Sequence, residues 1–389
     1  MPIPADNQMA RRTCSSAGRH KCSLLIPVLG MYSHNGYAVV LDMRAGVTDM
    51  SQRIQELHTI SLWVCIVVGI LVFGAMFYTM FKHRRTKHPI PATFHENTLI
   101  EAIWTIIPAL ILIGMAIPAT LALQDIEDNS DADLTVLITA SQWKWNYQYI
   151  NTNISFYSNL ATPQAQIDNL EPKGEHYLLE VDKRLVLPTN KKVRFLLTSN
   201  DVIHSWWVPD FAVKQDAVPG FINEAWTRVP ETGVFRGQCA ELCGKDHAFM
   251  PIVVEVIPEE EFDTWLANQQ LAMELASETA VADRAKTWAM DELIPMGEAV
   301  YVEHCATCHQ PNGTGKGGKY PALAGSEIAT GRIADHLERV MNGKVDTEMQ
   351  AWAPQLSDLE IAAVMTYERN SWGNDSGDII QPLTVFEAR

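Results

Sequence analysis

Two short runs of the sequence carry residues that could hold redox metals. The first is Cys239-Ala-Glu-Leu-Cys243-Gly-Lys-Asp-His247-Ala-Phe-Met250, with a further imidazole upstream at His204 in DVIHSWWVP. Together they offer two thiolates, two imidazoles and one thioether. Sulfur with imidazole selects copper among the biological metals, and one Cys with two His and a weak axial Met makes a mononuclear blue-copper site. Here a second cysteine follows four residues after the first, so both sulfurs can bridge two ions, each closed by one imidazole. Sharing one electron over two close metals reduces the geometric change on reduction. A Cys239–Cys243 disulfide, or a structural zinc held with His204 and His247, is the competing chemistry. The Met three residues beyond the last His is of use to copper and of none to zinc.

The second run is His304-Cys305-Ala-Thr-Cys308-His309. C-x-x-C-H is the attachment signature of a c-type haem: each thiol adds to a vinyl group, and the adjacent imidazole lies under the iron. A thioredoxin-like C-x-x-C is the alternative, but no βαβ pattern surrounds this one and a His follows at once. The opposite ligand is expected to be a Met, which raises the potential relative to two His. Met341 and Met365 fall at helical apolar spacing and read as core. Met349 stands in the loop TEMQAWAPQLSDLE, just before Ser357 caps the last helix, and is the expected ligand. His304 and His336 read as surface or core residues.

These residues need elements to hold them. The chain has 389 residues, with Lys+Arg 30 against Asp+Glu 46 and a net charge of −16. That acidity argues against nucleic-acid binding and suits a cationic protein partner. Seven cysteines are too few for a disulfide scaffold in a chain this long. Residues 59–81 and 102–124 carry no charge and are each long enough to cross a ~30 Å hydrocarbon core, despite Pro108 and Pro118. The connector 82–97 holds Lys82, Arg84, Arg85 and Lys87, whereas Asp125, Glu127, Asp128, Asp131 and Asp133 follow the second span. By the positive-inside rule the connector stays in the cytoplasm, and both termini and everything beyond residue 125 face outward, which in a bacterium is the periplasm. The first 50 residues are a leader or extension; Cys14 and Cys22 there fit no metal pattern.

Residues 131–268 read as an all-β domain with strands LTVLITA, WKWNYQYI, HYLLEV, KKVRFLLTS and PIVVEVI, arranged as a Greek-key sandwich or barrel. The Ala- and Glu-rich stretch that follows reads as helix and linker, with the linker at 269–290. Residues 291–389 suffice for one all-α haem domain and a tail. The fold expected is thus a multidomain membrane protein: a two-helix hairpin over 51–130, an all-β domain and an all-α domain.

The segments CAELCGKDHAFMPI, HSWWVP, SQWKWNYQY and EAIWTIIPA, in that order over about residues 45–265, resemble cytochrome c oxidase subunit II, and the C-terminal layout resembles a class I cytochrome c. The resemblance implies a cupredoxin-like domain with the dinuclear copper centre CuA, bound by His204, Cys239, Cys243, His247 and Met250 and by the backbone carbonyl of Glu241. In the family this Glu side chain also reaches a magnesium ion at the boundary with the catalytic subunit. Trp143, first of the alternating aromatics Trp143, Trp145, Tyr147 and Tyr149, falls where a donor cytochrome passes its electron; its bland reading is sandwich core. Glu101 matches a Glu at the entrance of a proton pathway; otherwise it is an interfacial acid at a helix end. The implied role is electron entry into a haem–copper terminal oxidase of the bacterial inner membrane. The implied partners are the catalytic subunit I, further oxidase subunits, membrane lipid and a cytochrome c or other respiratory donor. The spans offer no cluster of histidines, so oxygen chemistry falls to a partner. The same relay serving a nitric oxide reductase, or a membrane-anchored copper chaperone, are the alternative readings; a nitrous oxide reductase would need a further histidine-rich copper cluster.

Overall fold

The computed structural model describes residues 43–90, 92–344 and 347–389. The leader reading, with Cys14 and Cys22, lies outside these residues. Helix α1 (Asp49–Lys82) starts at a reciprocal cap: Ser51 N–H donates to Thr48 Oγ1, and Thr48 N–H donates to Ser51 Oγ. Its 34 residues span about 51 Å at ~1.5 Å per residue, more than a bilayer core needs. The charge-free stretch from residue 59 is therefore only its membrane part. The first turns stand clear of it and are tied to the β domain, where Thr48 Oγ1 donates to the Phe211 carbonyl and Val47 N–H to that of Asp210. Helix α2 (Thr98–Glu127) contains Pro108 and Pro118 and returns to the same domain. Its Asp125 pairs with Arg53 and accepts a hydrogen bond on its carbonyl from Trp226 Nε1. The connector thus sits at the far end of the hairpin from the β domain.

The β domain contains two five-stranded sheets. One runs β3 (Ser155–Ser158), β2 (Lys144–Tyr149), β1 (Leu134–Ser141), β5 (Val193–Ser199), β8 (Asn223–Thr227); the other runs β4 (Leu185–Pro188), β10 (Pro251–Ile257), β9 (Gly233–Cys239), β6 (His204–Val208), β7 (Val213–Ala217). The β1–β5 and β4–β10 pairs are parallel and the rest antiparallel. Alternating residues from both sheets meet in one core: Val136, Ile138, Trp145, Tyr147, Phe195, Trp206 and Val254 are all fully buried. HYLLEV, expected as a strand, is instead a turn with a single bridge from Val181 to Leu160, because Leu178 takes a left-handed φ of 60° that ends extension. A one-turn helix, α3 (Gln164–Ile167), precedes it.

Helix α4 (Glu259–Ala285) leaves the sandwich directly from β10 and begins ten residues before the expected linker. Its first turns are part of the sandwich core: Phe262 is buried and stacks on Trp265, and both rings pack on Tyr149. The last domain contains α5 (Met290–His304), α6 (Ala306–His309), α7 (Glu327–Thr330), α8 (Ile333–Asn342), α9 (Asp358–Arg369) and α10 (Pro382–Ala388). Helices α5 and α9 cross in backbone contact at Gly297, where an added Cβ would lie 2.1 Å from the Ala363 carbonyl oxygen.

Candidate metal centres

Cys239 ends β9 and lies opposite Trp206 of β6, the strand that His204 begins. The sheet register therefore brings cysteine and histidine together across 35 residues of sequence. From Cys239 the chain loops out and returns as β10, and the loop is anchored on the sheet by Ala240 N–H donating to the Ser205 carbonyl. The Cys239 and Cys243 sulfurs lie 3.8 Å apart, too far for a disulfide at ~2.05 Å, and both thiols are free. Each faces an imidazole nitrogen: His204 Nδ1 is 3.9 Å from the first sulfur and His247 Nδ1 is 3.4 Å from the second. The Glu241 carbonyl oxygen is 3.3 Å from Cys239 Sγ. Met250 is buried beside both cysteines in the sandwich core. This donor set, two sulfurs with one imidazole each, fits a pair of soft metal ions.

The electrostatics of the cluster reflect its closeness. A hydrogen bond from the Cys243 thiol holds Cys239 well below the usual thiol range, and the same bond together with burial pushes Cys243 up. Burial works against a charged His204 ring, but Asp201 and Cys239 outweigh it and raise its pKa. Asp201 was not singled out from the sequence, although it stands three residues before the histidine. Its Oδ1 is 2.9 Å from His204 Nε2, so an Nε2–H donated there leaves Nδ1 to face the sulfurs.

Trp143 departs from the aromatic alternation: Trp145, Tyr147 and Tyr149 point into the core, whereas Trp143 precedes β2 and is only half-buried. Its Nε1–H and the Gln142 amide both donate to the Cys243 carbonyl, at 3.2 and 2.8 Å. Gly244, at φ 118°, admits this approach, since a Cβ there would lie 2.9 Å from the Gln142 amide nitrogen and 3.2 Å from the Trp143 ring. Glu241 exposes its side chain, and among the described residues it belongs to no cluster of potential metal ligands. Glu101 lies in the first turn of α2, where Oε1 accepts from Asn97 N–H at 3.3 Å, a helix cap at the end of the hairpin far from the sandwich.

In the helical domain, Cys305 and Cys308 are free thiols, the first capping α6 and the second within it, and His309 ends that helix. His309 Nδ1 is 2.9 Å from the Pro321 carbonyl; an Nδ1–H donated there frees Nε2 for iron. Gly315, at φ 66°, makes room for this carbonyl, because a Cβ would lie 2.6 Å from its oxygen. Met341 and Met365 are buried on α8 and α9, while Met349 lies in the loop between them, half-buried on the same core. His336 is tied to the buried Glu368 at 2.8 Å and His304 packs on Trp352.

A membrane hairpin, a sandwich with a buried Cys/His cluster and a helical domain with a haem-attachment turn define a membrane-anchored electron-transfer protein. Family models agree: cytochrome c oxidase subunit II, transmembrane domain, matches residues 36–122, and its periplasmic domain matches 134–257. Cytochrome c oxidase, cbb3-type, subunit III, matches residues 292–367. A probable cytochrome c oxidase subunit 2 of Rickettsia bellii is 42% identical over 223 residues, which are 57% of this chain and 81% of that one. The mitochondrial cytochrome c oxidase subunit 2 of Glycine max is 38% identical over 59% of each chain. The crystal structure of the periplasmic domain of subunit II of cytochrome oxidase of Bradyrhizobium japonicum is 42% identical, with a TM-score of 0.33, over 36% of this chain and 96% of that one. The chain belongs to the cytochrome c oxidase subunit II family and carries a cytochrome c domain at its C-terminus. It is accordingly an oxidase subunit with an electron-entry role, and its sandwich and helical domains imply copper and haem-type cofactors.

Proposed function

We propose that this subunit takes electrons from a cytochrome c-type donor through a covalent haem c and a dinuclear CuA centre to a catalytic subunit that reduces O2 to water and moves protons. The observation that carries the copper half is the pair of sulfurs 3.8 Å apart, each facing its own imidazole nitrogen. Copper held by His204, Cys239, the Glu241 carbonyl, Cys243, His247 and Met250, and haem iron held by His309 and Met349 with Cys305 and Cys308 as thioether anchors, would each supply a one-electron centre. The chain's own task is to keep those ligands still. Strands β6 and β9 fix His204 and Cys239, and Asp201 and Pro321 orient the His204 and His309 imidazoles. His204, Cys239, Cys243 and Met250 are all buried, which opposes the chaperone reading, since a carrier must surrender its metal.

The membrane is read as the bacterial inner membrane, with both redox domains periplasmic and the basic connector inside, on the positive-inside rule. Glu101, at the connector end, is where a proton-pathway entrance into the neighbouring subunit would lie. The magnesium site draws no support from this chain, whose Glu241 belongs to no group of three or more potential metal ligands among the described residues. Electron paramagnetic resonance on the oxidised, copper-loaded full chain tests the central reading. A hyperfine pattern from one electron shared by two coppers supports it; a single-copper signal, or none despite bound metal, refutes it.

A further inference from the structure

The face of the sandwich that carries Trp143 is occupied. Lys144 follows Trp143 and is only 5% exposed, and its amine is not within ion-pair distance of an acid among the described residues. Its amine donates to Gln355 Oε1 and lies 4.9 Å from the Trp352 ring centroid, both in the cytochrome domain, and 5.4 Å from the Tyr157 ring of its own. Lys245, on the copper loop, lies between two rings, 5.7 Å from Trp143 and 5.2 Å from Tyr320 of the cytochrome domain. Glu348 holds Tyr320 in place by accepting its hydroxyl hydrogen. Tyr320, Glu348, Trp352 and Gln355 belong to the two loops that supply the Pro321 carbonyl and Met349. At the other side, the last turn of α4 carries Arg284, which pairs with Asp358 at 3.1 Å and covers the Phe386 ring at 4.1 Å, while the first turns of the helix are embedded in the sandwich core. Charge agrees with the seat: residues 286–389 hold 15 Asp and Glu against 8 Lys and Arg, a net of −7, and the sandwich meets them with two lysines.

We propose that the cytochrome domain is seated on the Trp143 face through the Lys144 and Lys245 clasps and the α4 strut, so that a soluble, lysine-rich donor is received by the outer surface of the cytochrome domain and not at Trp143. The seat itself does not depend on the metal assignments; its place in electron entry rests on the function proposed above.

The test is acylation of lysine amines by N-hydroxysuccinimidyl acetate on the detergent-solubilised full chain, followed by mass spectrometry. Exposed Lys183 and Lys316 are the references, and Lys192, buried under Trp226 within the sandwich, reports the integrity of that domain. Lys144 is expected to react about tenfold more slowly than the references, as for any group that must wait for an opening. In Gln355→Ala, and separately in Arg284→Met, Lys144 speeds up several-fold while Lys192 keeps its protection. Wild-type Lys144 reacting like Lys183 overturns the seat. So does protection unchanged in both variants, because its burial would then come from the sandwich alone. For the donor, carbodiimide coupling of a soluble lysine-rich cytochrome c is expected at carboxylates of residues 286–389; coupling at Asp246, beside Lys245, overturns the proposal. Loss of the two-copper resonance signal would defeat the function proposal and leave these labelling rates unchanged.

Discussion

Asp201 offers the sharpest test of how the sandwich prepares its metal site. Its Oδ1 accepts from His204 Nε2–H at 2.9 Å and from Val202 N–H at 2.7 Å, while Oδ2 accepts from Gln142 N–H at 2.7 Å. Asp201→Asn keeps the shape but replaces one acceptor by a donor. With the amide nitrogen in the Oδ2 position, it confronts Gln142 N–H at the base of the Trp143 turn. Turned over, it confronts His204 Nε2–H, and the ring escapes only by moving its proton to Nδ1, the nitrogen that would bind copper in the proposed centre. His204 is fully buried, so water does not substitute. Losing a hydrogen bond to a charged group costs about 1.5–3 kcal/mol, and loss of an outer partner of a metal-binding His costs about 10–100-fold in affinity; the two ranges agree. Competition of the folded apo full chain against a copper chelator should therefore show binding ~10–100-fold weaker in Asp201→Asn. Affinity within twofold of wild type, with circular dichroism unchanged, would refute the claim that Asp201 sets the tautomer.

Gly315→Ala forces a Cβ to within 2.6 Å of the Pro321 oxygen at a backbone φ of 66°, so the support of His309 is displaced; the ratio of haem to protein absorbance should fall, and an unchanged ratio would contradict that role. Gly297→Ala sets a methyl 2.1 Å from the Ala363 carbonyl oxygen, and forcing α5 from α9 should cost ~1–3 kcal/mol, read as a lower thermal midpoint in the haem absorbance. Burial holds the Lys144 amine down to about 7 against the pull of Asp201, so between about 7 and the ordinary 10.5 the folded chain binds fewer protons than the unfolded one. Stability contributed by this group therefore rises with pH across that window and is level below it, and Lys144→Met should flatten the rise in thermal midpoint from pH 7 to 9. Seven residues inserted near the middle of α4 preserve its azimuth but lengthen it by ~10.5 Å. If α4 is a strut, Lys144 becomes as reactive towards acylation as Lys183; if it is a slack tether, its protection survives.

What could be read without coordinates was whatever is local in sequence. C-x-x-C-H, the Cys239–Met250 loop and the two spans each fit within a window of about two dozen residues, so type and spacing alone carry their chemistry. β1, β5 and β10 were legible because β-branched and apolar residues run through them. HYLLEV has the same composition and is a turn, because a left-handed residue at Leu178 leaves no trace in hydrophobicity. Asp201 and Pro321 were missed for another reason. One acts through the tautomer of a ring and the other through a backbone carbonyl, and neither function has a residue-type signature.

The region between the sandwich and the helical domain was the hardest to read, and it explains why composition misleads there. EEEFDTWLANQQLAMELASETAVADRA is polar, Ala-rich and weakly amphipathic, which suits a solvated connector. Its ends, however, carry the groups that matter: Phe262 and Trp265, the fourth and seventh residues of the helix, pack into the sandwich core, and Arg284 meets Asp358 and Phe386 one residue before it stops. A helix gripped at both ends transmits position along its ~40 Å length, since its backbone hydrogen bonds are internal and its exposed middle has nothing to rearrange. The separation and azimuth of the two domains then follow from the number of residues between Phe262 and Arg284, while Lys144 and Lys245 set the contact at the haem-side loops. An electron carrier built this way exchanges reach for a constant short path, and on the route proposed above that path would run by the half-buried Trp143, which is bonded to Cys243 on one side and faces Lys245 on the other.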